Sequence, residues 1–283
     1  MAEKLGFPVR LCLRLNACFR PHSNLKKLIE DPSERGLAGY MIRSAENHCS
    51  AALHFLDLGR LKRSLALNVG CGYGGLEIAF AARGVRRVIG LDRQVPVLSL
   101  AGQIFRERFP GRQGNFTAGD GGRLPFADSS LDVIFSIAAM EHIADPQRFL
   151  DECRRALRPG GQVYLAFSPY YASNGAHLFD FIHIPWCHLL FSEKTLVRAW
   201  KQLARRQPLL ARWNSSVDAE AERLTGLNRI TVRRLRVLLA GSGLTVSRYR
   251  ERSYHRRFVR WLRPLPVLRE LLTSEITVVM EKN

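Results

Sequence analysis

Short apolar runs alternate with helix-period stretches along the first two thirds of the chain. Leu65 to Val69, Val85 to Leu91, Leu131 to Ile137 and Gln162 to Phe167 are near-continuous apolar segments, as expected of strands buried on both faces of a parallel sheet. Asn115-Phe116-Thr117 adds a shorter strand. Between them lie helical patterns. Leu76, Ala79 and Phe80 follow the first strand, Val95 to Phe109 follows the second and ends at Pro110-Gly111, and Asp145-Pro146 opens a third helix with Phe149, Leu150, Cys153 and Leu157 on one face. Asp as N-cap followed by Pro at the first helical position is a strong start signal. The order β-α-β-α-β-β-α-β implies right-handed crossovers and a mostly parallel sheet with helices on both faces.

The flanks are less regular. Cys49, Ala52, Leu53 and Leu56 space an amphipathic helix over Ser44 to Leu58, closed by Gly59. Residues 192 to 228 read as helices through Leu196, Trp200 and Leu203, and Leu227 to Leu239 reads as another helix, ended by Gly241-Ser242-Gly243. Leu244 to Tyr249 and Glu275 to Met280 read as two last strands. The expected organisation is an N-terminal helical cap over 1–63, a core over 64–168, an inserted helical lid over 169–228, and a C-terminal helix with closing strands over 229–283.

The turn after the first strand carries the chemistry. Leu65-Ala-Leu-Asn-Val-Gly-Cys-Gly-Tyr-Gly-Gly75 runs from strand through glycines into a helix. Glycine lets the backbone turn sharply and approach a ligand, and the first N–H groups of the helix face whatever polar group lies there. Asp92 ends the second strand, 22 residues beyond Gly70. That is one βαβ step, and a carboxylate there accepts from both hydroxyls of a ribose; capping the next helix is its plainer use. Asp120, at the end of the third strand, suits an exocyclic amine such as that of adenine, or a simple turn. Gly70, Gly72 and Gly75 also fit the GxGxxG dinucleotide fingerprint, so a nicotinamide cofactor is the formal competitor.

Asn68-Val-Gly-Cys-Gly-Tyr-Gly74, Gly90-Leu91-Asp92, Gly119-Asp120, Leu124-Pro125-Phe126, Asp132 through Ser136, Glu141-His142 and Leu157-Arg-Pro-Gly-Gly161 occur in that order. Together they resemble the ordered motifs of class I S-adenosylmethionine-dependent methyltransferases, in the subgroup with small-molecule acceptors. The resemblance spans about residues 60–170 and lies in the order of the motifs. It implies a Rossmann-like seven-stranded sheet, S-adenosylmethionine as cofactor, and cofactor contacts from Asn68, Gly70, Cys71, Gly72, Gly74, Asp92, Asp120, Gly121 and Ser136. The chain departs from the family at Asn68, where an acidic residue is usual. Some quinone-pathway relatives hold a divalent cation with a segment like Glu141-His142 and a further upstream Glu. Ala138 occupies that position here, and no obligatory metal is expected.

The acceptor end is read from Ser168 through Phe191, an aromatic stretch that includes His177, Asp180, His183, Trp186, Cys187 and His188. Methyl transfer needs the acceptor held in line and water kept out. An imidazole suits proton removal from a hydroxyl, so His142, His177 and His183 are candidate bases, with Asp180 as a carboxylate partner. A structural role for any one of these histidines is the competing assignment.

Composition changes the picture at two points. With 43 Lys+Arg against 25 Asp+Glu the net charge is +18, a field that favours anionic partners. Ten arginines and one acid, Glu251, lie between Ile230 and Pro264, with Tyr249, Tyr254, Phe258 and Trp261 among them. A phosphorylated or acidic acceptor, RNA or an anionic lipid surface fits this segment, as does a merely solvated face. The six cysteines are scattered without a CxxC pair, which fits reduced thiols and a cytoplasmic compartment and excludes a cysteine-triplet iron–sulfur cluster. No run approaches the ~20 apolar residues of a membrane span; peripheral membrane contact stays open. The expected function is methyl transfer to a small or lipid-like acceptor, with an anionic one favoured by charge; RNA-directed methylation, or a non-catalytic RNA-associated role on the same fold, is the alternative.

Overall fold

The computed structural model describes residues 5–19, 33–112, 114–206, 208, 211, 217–253 and 265–283. The chain divides into two compact units. A sheet unit comprises residues 38–167, 233–252 and 275–283, and a helical unit comprises 1–37, 168–232 and 253–274.

The sheet unit is built on seven strands in the order β3-β2-β1-β4-β5-β7-β6. They are β1 (Ala66–Val69), β2 (Val88–Asp92), β3 (Asn115–Ala118), β4 (Leu131–Ile137), β5 (Leu157–Phe167), β6 (Thr245–Ser253) and β7 (Thr273–Glu281). β1 pairs in parallel with β2 and β4, β2 with β3, and β4 with β5, while β7 runs antiparallel to β5. Every residue of β1 is buried, as are all of β4 but Ile137, because helices cover both faces. The strand order reverses between β1 and β4, and in open α/β sheets ligands collect outside the carboxyl ends at such a reversal. Phe80, Phe135 and Tyr164 form the aromatic centre of the core, with ring centroids 5.0 and 6.1 Å apart along that row.

Several element boundaries shift from those read off the periodicity. The helix expected over Ser44 to Leu58 runs Glu34–Leu53, and Gly59 lies inside a separate helix, Leu58–Arg63, whose first turn is capped by Asp57. The fifth strand starts at Leu157, not Gln162, because Leu157 pairs with Leu131 ahead of an irregularity that re-registers the pair. The helix expected from Leu227 starts at Val232. Before it, the Asn228 side chain accepts from Ile230 N at 3.0 Å and the Ile230 carbonyl accepts from Tyr170 N at 2.8 Å, so this stretch is tied up outside any helix. Within 192–228 the described helix is Glu193–Ala204.

In the helical unit, the helix Phe7–Cys18 packs on the helix Glu193–Ala204. Buried Asn16 reaches the segment between them with both ends of its amide. Its Nδ2 donates to Phe181 O at 2.9 Å, and its Oδ1 accepts from His183 N at 2.6 Å. Phe181 in turn meets Trp200 edge-on at 5.6 Å. Asn16→Ala leaves two backbone groups without these partners and is expected to lower unfolding free energy by ~1–3 kcal/mol, read from denaturant melts.

Candidate functional site

The glycine turn leaves β1 at Gly70 and enters the helix Gly75–Ala82. Gly70, Gly72 and Gly74 all have positive φ, at 78°, 52° and 72°. At Gly70 a side chain is also excluded by space, since a Cβ would lie 2.4 Å from the Ala139 Cβ. Gly70 N and Cys71 N both donate to Leu91 O, at 2.8 and 3.1 Å, which lashes the turn to the end of β2. Asp92 completes the fastening. One carboxylate oxygen accepts from Gly72 N at 3.0 Å and the other from Gln94 N at 3.0 Å. The expected ribose carboxylate therefore also positions the turn, and each oxygen keeps a lone pair for a further donor. Burial pushes the Cys71 thiol well above its ordinary range, so it packs as a neutral side chain.

Asp120 follows β3 and is exposed; its Oδ1 accepts from Gly122 N at 2.7 Å and its Oδ2 lies 3.8 Å from Arg93. This is a turn-making Asp with one oxygen still turned outward. Gly121 is buried under Val69, Ile143 and Phe149. The loop beyond it is held by Arg155, which donates to the carbonyls of Leu124 and Phe126 at 3.1 and 2.8 Å and pairs with Glu152 and Asp128. Ser136 on β4 is wholly buried, and its hydroxyl has no partner among the described residues. Ala138, just past β4, holds a left-handed backbone at φ 50°, a costly state for a residue with a Cβ. Glu141 and His142 follow in a single 3₁₀ turn, Met140–His142.

The remaining candidates belong to the helical unit. His177 sits at φ 52° with its ring edge-on to Phe179. His183 Nδ1 lies 3.0 Å from Phe179 O. A carbonyl only accepts, so Nδ1 is the donor of this bond. Burial raises Asp180 to about 6 and lowers His188 to about 4, so this stretch disfavours charge. Trp186, another left-handed residue at φ 53°, donates from its indole to Tyr171 O at 3.1 Å.

Reading the sequence alone missed Glu77. It stands in the first turn of the helix after the glycines, only 2% exposed, and its Oε1 accepts from Asn68 Nδ2 at 2.9 Å. Its other oxygen has no partner among the described residues. Burial pushes the Glu77 carboxyl up to about 7, against the smaller opposing pulls of the Asn68 bond and of its own backbone N–H, with nearby Asp92 adding slightly to the rise. One signal was available: a lone acid on an otherwise wholly apolar helix, Leu-Glu-Ile-Ala-Phe.

The folded protein keeps the Glu77 proton between the ordinary carboxyl range and about pH 7, where the unfolded chain has released it. Stability therefore falls as pH rises through that window. Glu77→Gln is expected to gain on wild type by up to ~3 kcal/mol between pH 5 and pH 8, measured by denaturant unfolding at both pH values. A constant difference would contradict it.

Residues 67–165 match the family model described as a methyltransferase domain. A Mycobacterium tuberculosis protein named an uncharacterized methyltransferase is 30% identical over 214 residues, covering 76% of this chain and 75% of that one. A Mycobacterium marinum methyltransferase is 30% identical over 216 residues, covering 76% and 74%. The solved magnesium protoporphyrin IX methyltransferase of Synechocystis, which carries bound S-adenosylhomocysteine, shares the fold at TM-score 0.51 and 14% identity, over 89% of this chain and 88% of that one. With the βαβ glycine turn, Asp92 at the tip of β2 and the strand reversal beside β1, these similarities identify the chain as a member of the class I S-adenosylmethionine-dependent methyltransferases.

Proposed function

We propose that this methyltransferase modifies a small or lipid-like acceptor, held by side chains of the helical unit. The observation that carries the reading is the make-up of Ser168 to Phe191. Leu178, Phe181, Ile182, Ile184 and Cys187 are buried there, and burial pushes Asp180 up to about 6 and His188 down to about 4, each toward its neutral form. Such surroundings favour an apolar acceptor body and exclude water.

The residues present fit the cofactor. Asp92 offers lone pairs to ribose hydroxyls, and buried Ser136 Oγ and Glu77 Oε2 have no partner among the described residues. When bound, S-adenosylmethionine supplies an electrophilic methyl carbon on a sulfonium sulfur. The chain's share is to hold the acceptor in line, keep water away and take the proton the acceptor loses. His183 and Asp180 are the groups we assign to that proton, with His142 and His177 as the remaining candidates.

An RNA acceptor has one observation in its favour. Arg233, Arg234 and Arg236 on the helix Val232–Gly241 and Arg248, Arg250 and Arg252 on β6 are all exposed. Tyr254, Phe258, Trp261 and the last four arginines of the expected basic segment lie outside the described residues. Among the described residues no helix is long and apolar enough to cross a membrane.

Asp92→Ala is expected to weaken S-adenosylhomocysteine binding by ~1–3 kcal/mol, read by calorimetry, with NAD giving no heat in either protein. Methyl label from S-adenosylmethionine is expected in the solvent-extractable fraction of a cell extract; label in RNA, with salt-sensitive RNA binding, would replace this reading with the other. On that extracted acceptor, the rate is expected to rise with pH through about 6. Asp180→Asn removes this limb and lowers the rate ~10²-fold or more if the carboxylate is the base.

A further inference from the structure

The family's usual acid at the end of the first strand is absent, and Asn68 stands in its place. A carboxyl group still stands beside it. Asn68 is 4% exposed and gives its amide hydrogen to Glu77 Oε1 at 2.9 Å, so the two side chains form one buried pair across the glycine turn. Asn68 is fixed on its strand by pairing with Gly90 on one side and Phe135 on the other. An amide cannot neutralise a cation, but it can aim a carboxylate by donating to one of its oxygens.

Among the described residues no counter-charge acts on the Glu77 carboxyl. The charged group that does act on it is Asp92, at the end of β2, which repels an anion; the Cys71 thiol of the turn is held neutral by burial. Its Oε2 is buried and has no partner among the described residues. The helix it stands on is apolar around it, with Leu76, Ile78, Ala79 and Phe80 all buried. A structural acid would be better replaced by an apolar residue at such a place, because a buried unpaired carboxylate is costly. The chain retains it beside the turn that receives the cofactor.

We propose that Glu77, oriented by Asn68, is the carboxylate that neutralises the α-ammonium of the cofactor's methionine end, so that in this chain the motif's acid has moved from the strand to the facing helix. Binding of the ammonium compensates a charge that is otherwise unfavourable. The cofactor's amino group then contributes to affinity through Glu77, and the strand position contributes only orientation.

The test is a cycle between residue and ligand, run by calorimetry on the full chain at pH 8. The ligands are S-adenosylhomocysteine and the same thioether lacking its α-amino group. Wild type is expected to prefer the amine-bearing ligand by ~10-fold or more, the scale of a charge-assisted hydrogen bond. In Glu77→Gln, which keeps shape and removes charge, the preference is expected to fall to within about twofold. Returning the acid to the strand, in Asn68→Asp combined with Glu77→Gln, is expected to restore it. A preference that survives Glu77→Gln, or is absent from wild type, overturns the proposal, and so does a folded double variant that fails to restore it. Failure of wild type to bind either thioether would instead strike at the cofactor assignment.

Discussion

Everything in the sheet unit depends on how closely the turn after β1 is pressed against the loop after β4. At Gly70 the backbone is left-handed, and the place where a Cβ would project is already filled by the Ala139 methyl. That contact is possible only because β1 and β4 are neighbours with parallel register, Asn68 beside Phe135. In open α/β sheets ligands collect at such a strand reversal, and the missing side chain lets the two loops approach closely there. Leu91 O and Asp92 then hold the turn from the β2 side. Three adjacent strands thus determine one loop, the one we propose receives the cofactor.

The acids of the site do not share one role. Asp92 is engaged by two backbone amides and fastens the turn, whatever it also offers to the ribose we propose it binds. Asp120 makes its own turn and faces Arg93 in solvent. Glu77 is different: buried, half-satisfied and raised to about 7. A group held so far from its preferred state in the middle of a cofactor fold is easier to explain by what it binds than by what it stabilises. The helical unit shows the same economy of charge, with Asp180 and His188 both shifted toward neutrality.

The exposed arginines of β6 also have a structural use. β6 is an end strand of the sheet, and Arg248, Arg250 and Arg252 are exposed at alternate positions along it. Charge along an open strand discourages pairing with another chain. Glu251 offsets part of it, accepting from the Tyr249 hydroxyl at 2.8 Å and lying 3.7 Å from Arg236.

The alternation of apolar runs and helical stretches was enough to read the succession of strands and helices in the core, the mostly parallel sheet and the glycine turn, because burial on both faces and the need for φ > 0 leave marks in residue type; the order of the strands within the sheet came only from the structure. Asp92 was legible for the same reason, through its distance along one βαβ step. Boundaries were less so. The start of β5 depends on a re-registration against β4, and the late start of the helix at Val232 goes with a hydrogen bond that the Ile230 carbonyl accepts from Tyr170 N, sixty residues away in sequence. Glu77 could be seen in the sequence but not interpreted there, since nothing local says that a helix residue will lie against a strand asparagine nine positions earlier. Spacing determines which residues can stand at strand ends; only the packing of helix on sheet decides which charge is left without a partner.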